Sequence, residues 1–132
     1  MVGELSGTEL RSLLTHVLRW LANLRRAGAA RRRESIAALR EVILVARSTQ
    51  VYLRSRDGAP SVTAEQALSE RWTELGFRLR DLRLGALAKR CDVSGRHWAD
   101  PTALDADFLQ RADVSLESME RLARRMLEDL GA

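Results

Sequence analysis

The sequence predicts an all-α protein: an up-and-down four-helix bundle with one extra short helix between helices three and four. Leu, Arg and Ala supply 22, 21 and 18 of the 132 residues, whereas Pro supplies only 2. Alanine and straight-chain residues favour helices, while strands are enriched in β-branched residues. Apolar residues also recur every three to four positions in four long segments, and amphipathic helices joined by short turns bury their apolar faces most simply as a bundle. The length predicts one helical domain over residues 1–132.

The first predicted helix runs from about Gly7 to Ala27. Ser6 and Glu9 have the spacing of a capping box at its start. Its apolar residues lie on one helical face: Leu10, Leu13, Leu14, Val17, Leu18, Leu21 and Leu24. Because Gly28 follows two arginines, which is typical of a helix C-terminus, the sequence predicts a turn there.

The second predicted helix runs from about Ala30 to Ser55. Its apolar residues cover about half of the helix circumference, which is more than a surface helix requires. We therefore expect this helix to contact two neighbours or a second protomer. The segment 57–61, Asp-Gly-Ala-Pro-Ser, ends it with a strong turn signal.

The third predicted helix begins at Thr63 and reaches Lys89 or Arg90. Its packing seam steps by four and three residues: Leu68, Trp72, Leu75, Leu79, Leu82 and Ala86. Phe77 and Leu84 are seven residues apart and point away from this seam. Either the following connection covers them, or they form a contact face for a partner or for self-association.

The remaining elements are a loop, a short helix and a fourth long helix. Residues 91–101 interrupt the apolar periodicity and are predicted to be irregular. A short helix that carries Leu104, Phe108 and Leu109 follows, with Asp100 or Thr102 as its cap. The fourth helix is predicted from Ser115 to about Leu130.

The charge is unevenly distributed along the chain. The net charge is +4, but residues 19–56 carry +8 and residues 99–132 carry −4. A basic segment of this strength can attract phosphates or an acidic protein surface, or the two charged segments can face each other within one fold. The densest basic cluster is the one where we expect a partner to bind first. It consists of Arg25, Arg26, Arg31, Arg32 and Arg33.

Arginines also recur at a spacing of seven residues, and four of them form a stripe along the second predicted helix. These four are Arg33, Arg40, Arg47 and Arg54. The stripe could bind nucleic-acid phosphates, or it could pair with carboxylates of the third predicted helix, namely Glu70, Glu74 and Asp81. Tyr52 shares this helix and, with Trp98, is an aromatic residue that we expect to be exposed for stacking on bases.

Metal and cofactor chemistry has little support in the sequence. Neither histidine has a histidine, cysteine or glutamate three or four residues away, and one cysteine cannot build a zinc site. We therefore expect no metal and no cofactor. No apolar run approaches the roughly 18 residues of a membrane span, and no signal peptide is recognised, so we expect a cytoplasmic protein without membrane contact.

One pair of residues resembles a known motif. Arg90 and His97, separated by six residues, are similar to the Arg-x(4–6)-His element of the HEPN-domain ribonucleases. The resemblance implies a small all-helical protein in which this Arg and His polarise and protonate an RNA phosphodiester at a dimer interface. Cys91 and His97 could also form a thiol–imidazole pair for nucleophilic catalysis, but a lone cysteine at a helix end is far more often a packing residue.

Three functions follow as expectations. The first is a non-enzymatic protein that binds another protein, or itself, through the face containing Phe77 and Leu84 together with the basic cluster. The second is an RNA- or DNA-binding subunit that uses the arginine stripe and Tyr52. The third is a HEPN-like ribonuclease that uses Arg90 and His97.

Overall fold

The computed structural model describes residues 7–132, with the backbone only at Leu24, and this part of the chain is helical without a strand. The predicted all-α class is confirmed. By internal contacts the chain divides into two compact units, residues 1–33 and 34–132, and a single domain stays a prediction. The helices are α1 (Gly7–Ser55), α2 (Val62–Asp81), α3 (Gly85–Ala99), α4 (Ala106–Ala112) and α5 (Leu116–Asp129).

The first long element corrects the predicted break at Gly28. The sequence predicts separate helices over 7–27 and 30–55, but α1 continues through all 49 residues. One glycine costs a helix interior only about 1 kcal/mol, and three of its close neighbours, at positions 27, 29 and 30, are alanines, the best helix former. The predicted capping residue Ser6 lies outside the described residues, as does the side chain of Leu24.

The third predicted helix is wrong in the opposite sense, because the structure divides it. α2 ends at Asp81, and Arg83 adopts the left-handed conformation with φ 61°. The N–H of Leu84 then donates to the carbonyl of Leu79 at 2.9 Å, which closes a tight turn before α3 begins. The predicted irregular segment 91–101 is also wrong, since α3 continues to Ala99.

The cap predicted for the short helix is wrong, whereas the predicted start of the fourth helix agrees with the structure. Asp105, and not Asp100 or Thr102, caps α4, because its carboxylate accepts a hydrogen bond from the N–H of Phe108 at 2.6 Å. Ser115 is the cap of α5, and its hydroxyl accepts from the N–H of Ser118 at 3.2 Å.

A single apolar core fills the unit formed by residues 34–132. It receives side chains from the C-terminal part of α1 and from α2, α3 and α5. Its largest fully buried members are Leu39, Val42, Val45, Trp72, Leu79, Leu87, Cys91 and Met119. These residues identify which face of each helix is turned inward.

Gly95 allows α2 and α3 to approach closely, whereas Gly76 on the facing helix does not need to be a glycine. A Cβ placed on Gly95 of α3 would press against the hydroxyl of Thr73 and lie 3.2 Å from the backbone nitrogen of the same residue. A Cβ placed on Gly76 of α2 would meet its nearest neighbours at 3.4 Å, which is ordinary contact. Gly95, which lies in the segment predicted to be irregular, is therefore explained by helix packing and not by a turn.

We expect Gly95→Ala to lower the free energy of unfolding by about 1–2 kcal/mol, because the overpacking outweighs the better helix propensity of alanine. Gly76→Ala is the matched control and should be neutral or stabilising by up to about 1 kcal/mol. Urea unfolding followed by circular dichroism measures both. A Gly95→Ala variant at least as stable as the wild type would contradict the close approach.

Candidate interaction surfaces

A row of large apolar side chains lies exposed on the N-terminal part of α1. We call it the N-terminal stripe, and its exposed fractions run from 41% to 65%. Its members are Leu10, Leu13, Leu14, Val17, Leu18, Trp20 and Leu21. Water therefore reaches about half of each of these side chains, which is the opposite of the buried seam that the sequence predicts for them within a bundle.

The predicted face of Phe77 and Leu84 does not form as one surface. Phe77 lies on α2 with 57% of its surface exposed, whereas Leu84 lies at the start of α3, half-buried against the core. The turn at Arg83 separates them. Phe77 is therefore a single exposed ring, and the apolar surface predicted on this helix is smaller than expected.

The basic cluster is fully on the surface. All five of its arginines, Arg25, Arg26, Arg31, Arg32 and Arg33, are exposed and lie in the same unit as the N-terminal stripe. Arg26 donates to the side chain of Asn23 at 3.2 Å. A partner that docks on the stripe would meet this positive charge on the same helix.

The arginine stripe is divided between paired and unpaired members. Arg47 binds Glu120 of α5, with Nη2 and Nε at 2.9 and 3.3 Å from the same carboxylate oxygen. Burial opposes the charge of Glu120, but the bonds from Arg47 and from Arg124 prevail and lower its pKa. The partner expected on the third predicted helix is thus on α5 instead. Arg40 and Arg54 are exposed and have no ion pair within the described chain.

Tyr52 and Trp98 are not the exposed aromatic residues that the sequence predicts. The hydroxyl of Tyr52 donates to the Glu65 carboxylate and accepts from the N–H of Ser61 at 2.9 Å. Its half-buried ring meets Trp98 edge-on, with 5.8 Å between the ring centroids. Trp98 is only 8% exposed. These contacts hold both rings within the fold, so neither offers an open face for stacking on a base.

Arg90 and His97 lie along α3, not in a loop, and each has structural contacts. Arg90 donates through Nε to the backbone carbonyl of Asp113 at 3.2 Å, and its Nη2 lies 3.6 Å from the carboxylate of the same residue. His97 is half-buried and packs edge-on against Trp98. A phosphate would have to displace Asp113 to reach Arg90.

Burial lowers the pKa of His97, although the nearby charge of Glu65 acts in the opposite direction. The unfolded chain, with an ordinary histidine pKa of about 6.5, therefore binds a proton more readily than the folded chain. We expect the stability to be retained above about pH 6.5 and to fall as the pH drops below this value. The melting temperature of His97→Gln should decrease less than that of the wild type between pH 7.5 and pH 5. An equal decrease in both proteins would contradict this role of His97.

The same region contains an open pocket of about 450 Å³. Thr49, His97, Trp98, Leu109 and Val114 are among the residues that line it.

Cys91 is fully buried, and burial raises the pKa of its thiol to about 12, so a reactive thiolate is not formed at neutral pH. Residues 7–132 hold no cluster of three or more acidic, histidine or cysteine side chains that could bind a metal ion.

The exposed N-terminal stripe is the feature that sequence reasoning missed. The apolar spacing is visible in the sequence, but it predicts only which residues share a face and not whether another helix covers that face.

Among the described residues, no helix combines the length and the apolar character needed to cross a bilayer. Comparison of the chain with protein-family models, curated proteins and solved structures finds no match.

Proposed function

We propose that this chain is a non-enzymatic, cytoplasmic interaction protein that binds another protein by docking a helix face. One observation carries the proposal: seven large apolar side chains between Leu10 and Leu21 are 41–65% exposed. A contiguous exposed apolar patch is characteristic of an interface. In this mechanism the stripe supplies apolar anchors, and the positive charge of the nearby basic cluster restricts the orientation in which a partner can dock.

The proposal differs from the sequence expectation in where the partner binds. Phe77 is one isolated ring, whereas the N-terminal stripe is continuous over three turns of α1. Affinity in protein interfaces is concentrated in clustered apolar anchors that exclude water from one another. The stripe provides such a cluster, and Phe77 provides a control position on the same protein.

The experiment compares proteins that co-purify with the wild type, with Leu14→Glu and with Phe77→Glu. We expect Leu14→Glu to lose the specific partner and Phe77→Glu to retain it. Because Leu14 lies outside the core, the circular dichroism spectrum and the melting temperature of the 34–132 core should not change. Equal retention of the partner by both variants would contradict the proposal.

We also propose that residues 34–132 form the up-and-down bundle, built from the C-terminal part of α1 with α2, α3 and α5, and with α4 as the short extra helix. Contacts between successive helices support this arrangement. Thr49 of α1 is bonded to Trp72 of α2, Gly95 of α3 packs against α2, and Glu120 of α5 returns to Arg47 of α1. A sequential ring of neighbours is what an up-and-down bundle produces.

A second candidate is binding of RNA or DNA through phosphate contacts. The exposed side chains of Arg40 and Arg54, which have no ion pair within the described chain, favour it.

Fluorescence anisotropy with mixed-sequence oligonucleotides, measured at salt concentrations between about 50 and 200 mM, tests this function. Binding should weaken by orders of magnitude over this range if several phosphates are contacted. An Arg40→Ala/Arg54→Ala variant should weaken it further, whereas Arg47→Ala, whose arginine is already held by Glu120, should have a smaller effect. Absent or salt-independent binding would exclude this candidate.

A further inference from the structure

We infer that the occupant of the N-terminal stripe is a second copy of this chain, and that two α1 helices pair antiparallel over residues 10–21. This inference rests on the proposed function, since it identifies the protein that the stripe binds. Three observations carry it: the spacing of the stripe, the area it exposes and the position of the arginines.

The spacing is that of a coiled-coil seam. Leu10, Leu14, Val17 and Leu21 follow one another at intervals of four, three and four residues, which places them on one face at the heptad a and d positions. Antiparallel pairing brings an a position of one helix opposite a d position of the other. Leu10 then faces Leu21 of the second copy, and Leu14 faces Val17 of the second copy.

This pairing is self-complementary, as a two-fold symmetric interface must be. Each contact occurs twice, once in each direction, so four layers are filled without any additional residue. Leu13, Leu18 and Trp20 lie beside the seam and are 51%, 65% and 61% exposed. They cover the flanks of the pair and keep water away from the central layers.

The exposed area has the size that a specific interface needs. From the exposed fractions, the seven side chains present on the order of 700 Å² per copy, or about 1,400 Å² for two copies, which is the upper limit of what pairing can bury and lies within the roughly 1,200–2,000 Å² of specific interfaces. A single docked side chain or a short loop could not cover a strip of this length.

The arginines determine the direction. Arg25 and Arg31 lie C-terminal to the stripe and point to the edges of the helix side that carries its apolar residues. In a parallel pair, each of these arginines would lie beside the same arginine of the second chain, and the two positive charges would repel each other. In the antiparallel register the two Arg25 residues are about 28 Å apart along the axis, beyond the screening length at physiological salt.

The arginine position also argues against a bilayer as the occupant. Helices that lie on a membrane carry many basic residues along the polar face opposite the apolar one. Between positions 8 and 24 this helix has only Arg11 and Arg19, and the other basic residues of this unit follow the stripe. The stripe therefore fits an apolar protein surface better than an anionic lipid surface.

The first test measures the mass of the full chain in solution by light scattering after gel filtration, over a range of concentrations. We expect twice the 14.8 kDa of one chain. Leu14→Glu should weaken dimerisation by about a hundredfold or more, because each dimer receives two buried charges. Phe77→Glu is the matched control and should remain a dimer. A mass other than that of a dimer, or a dimer that Leu14→Glu leaves intact, overturns the inference.

The second test measures direction with a spin label at Ala29→Cys, an exposed position beyond the stripe, while the native Cys91 is buried. The antiparallel register predicts a separation of about 40 Å between the two labels, whereas a parallel pair predicts less than about 20 Å. The shorter distance overturns the antiparallel pairing.

Two further outcomes separate this inference from the proposed function. If the wild type is monomeric but captures a different protein that Leu14→Glu loses, the second copy is refuted and the proposed function stands. If the wild type is monomeric and nothing bound depends on Leu14, both are refuted. Binding of the monomer to vesicles of anionic phospholipid, abolished by Leu14→Glu, refutes both in favour of a membrane surface.

Discussion

Replacing Trp72 with alanine is expected to lower the free energy of unfolding by about 3–5 kcal/mol, the range for removing a large buried aromatic side chain. Trp72 lies on α2 and is the largest of the fully buried side chains in the core. Its removal leaves a cavity between α2 and the C-terminal part of α1, where the indole contacts Thr49. Because the marginal stability of a domain is only about 5–15 kcal/mol, this substitution removes a large fraction of it. Urea unfolding followed by far-UV circular dichroism, which does not rely on tryptophan fluorescence, measures the change in the free energy of unfolding.

A milder pair of substitutions separates the hydrogen bond of Trp72 from its packing. The indole Nε1 donates to Thr49 Oγ1 at 3.1 Å, and this hydroxyl donates to the carbonyl of Val45 at 2.8 Å. Thr49→Val keeps the shape but leaves a buried N–H without an acceptor, which should cost about 1–3 kcal/mol. Trp72→Phe removes the donor, so the double variant should be more stable than the sum of the two single effects predicts. Strict additivity would show that the bond contributes nothing.

The buried face of each helix could be predicted from the sequence because periodicity reports it directly. The spacing assigns Leu68, Trp72 and Leu79 to one seam, and the structure buries all three. Periodicity does not say which neighbour covers a face. The leucines of residues 10–21 have the same pattern as that seam, yet they are exposed.

Breaks between helices were harder to predict than buried faces, because glycine, a residue type that often marks a turn, also occurs inside helices here. Gly28 and Gly95 have the residue type of a turn, but alanines surround the first, and the second lies where α3 touches α2. The true break at Arg83 has a left-handed arginine, which pays a steric cost that no propensity rule anticipates. Tertiary packing therefore explains Gly95, whereas the helix propensity of its neighbours explains Gly28.

For polar contacts, the sequence predicts the chemical type of the partner group but not which residue provides it. The sequence predicts that a boundary arginine such as Arg47 meets a carboxylate, and it does, but on α5 instead of the third predicted helix. The choice depends on which helices are neighbours. The position of Tyr52 on its helix likewise predicts exposure, whereas its hydroxyl is held by Glu65 and by the N–H of Ser61.

Gly28→Pro is expected to cause the second large effect, a loss of about 3 kcal/mol or more in the stability of the helix at this point. Proline removes one backbone hydrogen bond and clashes with the preceding turn, so the helical segment before residue 28 is left with about 20 residues. An isolated helix of this length is marginal in water unless its apolar face is packed. Far-UV circular dichroism should therefore show a loss of helix that corresponds to part of residues 7–27.

The matched control is Gly28→Ala, which should make the same segment more stable by about 1 kcal/mol, because an added Cβ has no described atom within 4 Å. In both variants the core of residues 34–132 should melt as in the wild type, since Gly28 contributes nothing to it. Hydrogen exchange resolves the two regions: protection of the amides in residues 10–27 should fall with proline and rise with alanine. Unchanged protection in the proline variant would mean that the chain already turns at Gly28, as its sequence alone suggests. The stripe would then belong to a separate helix that ends before Gly28.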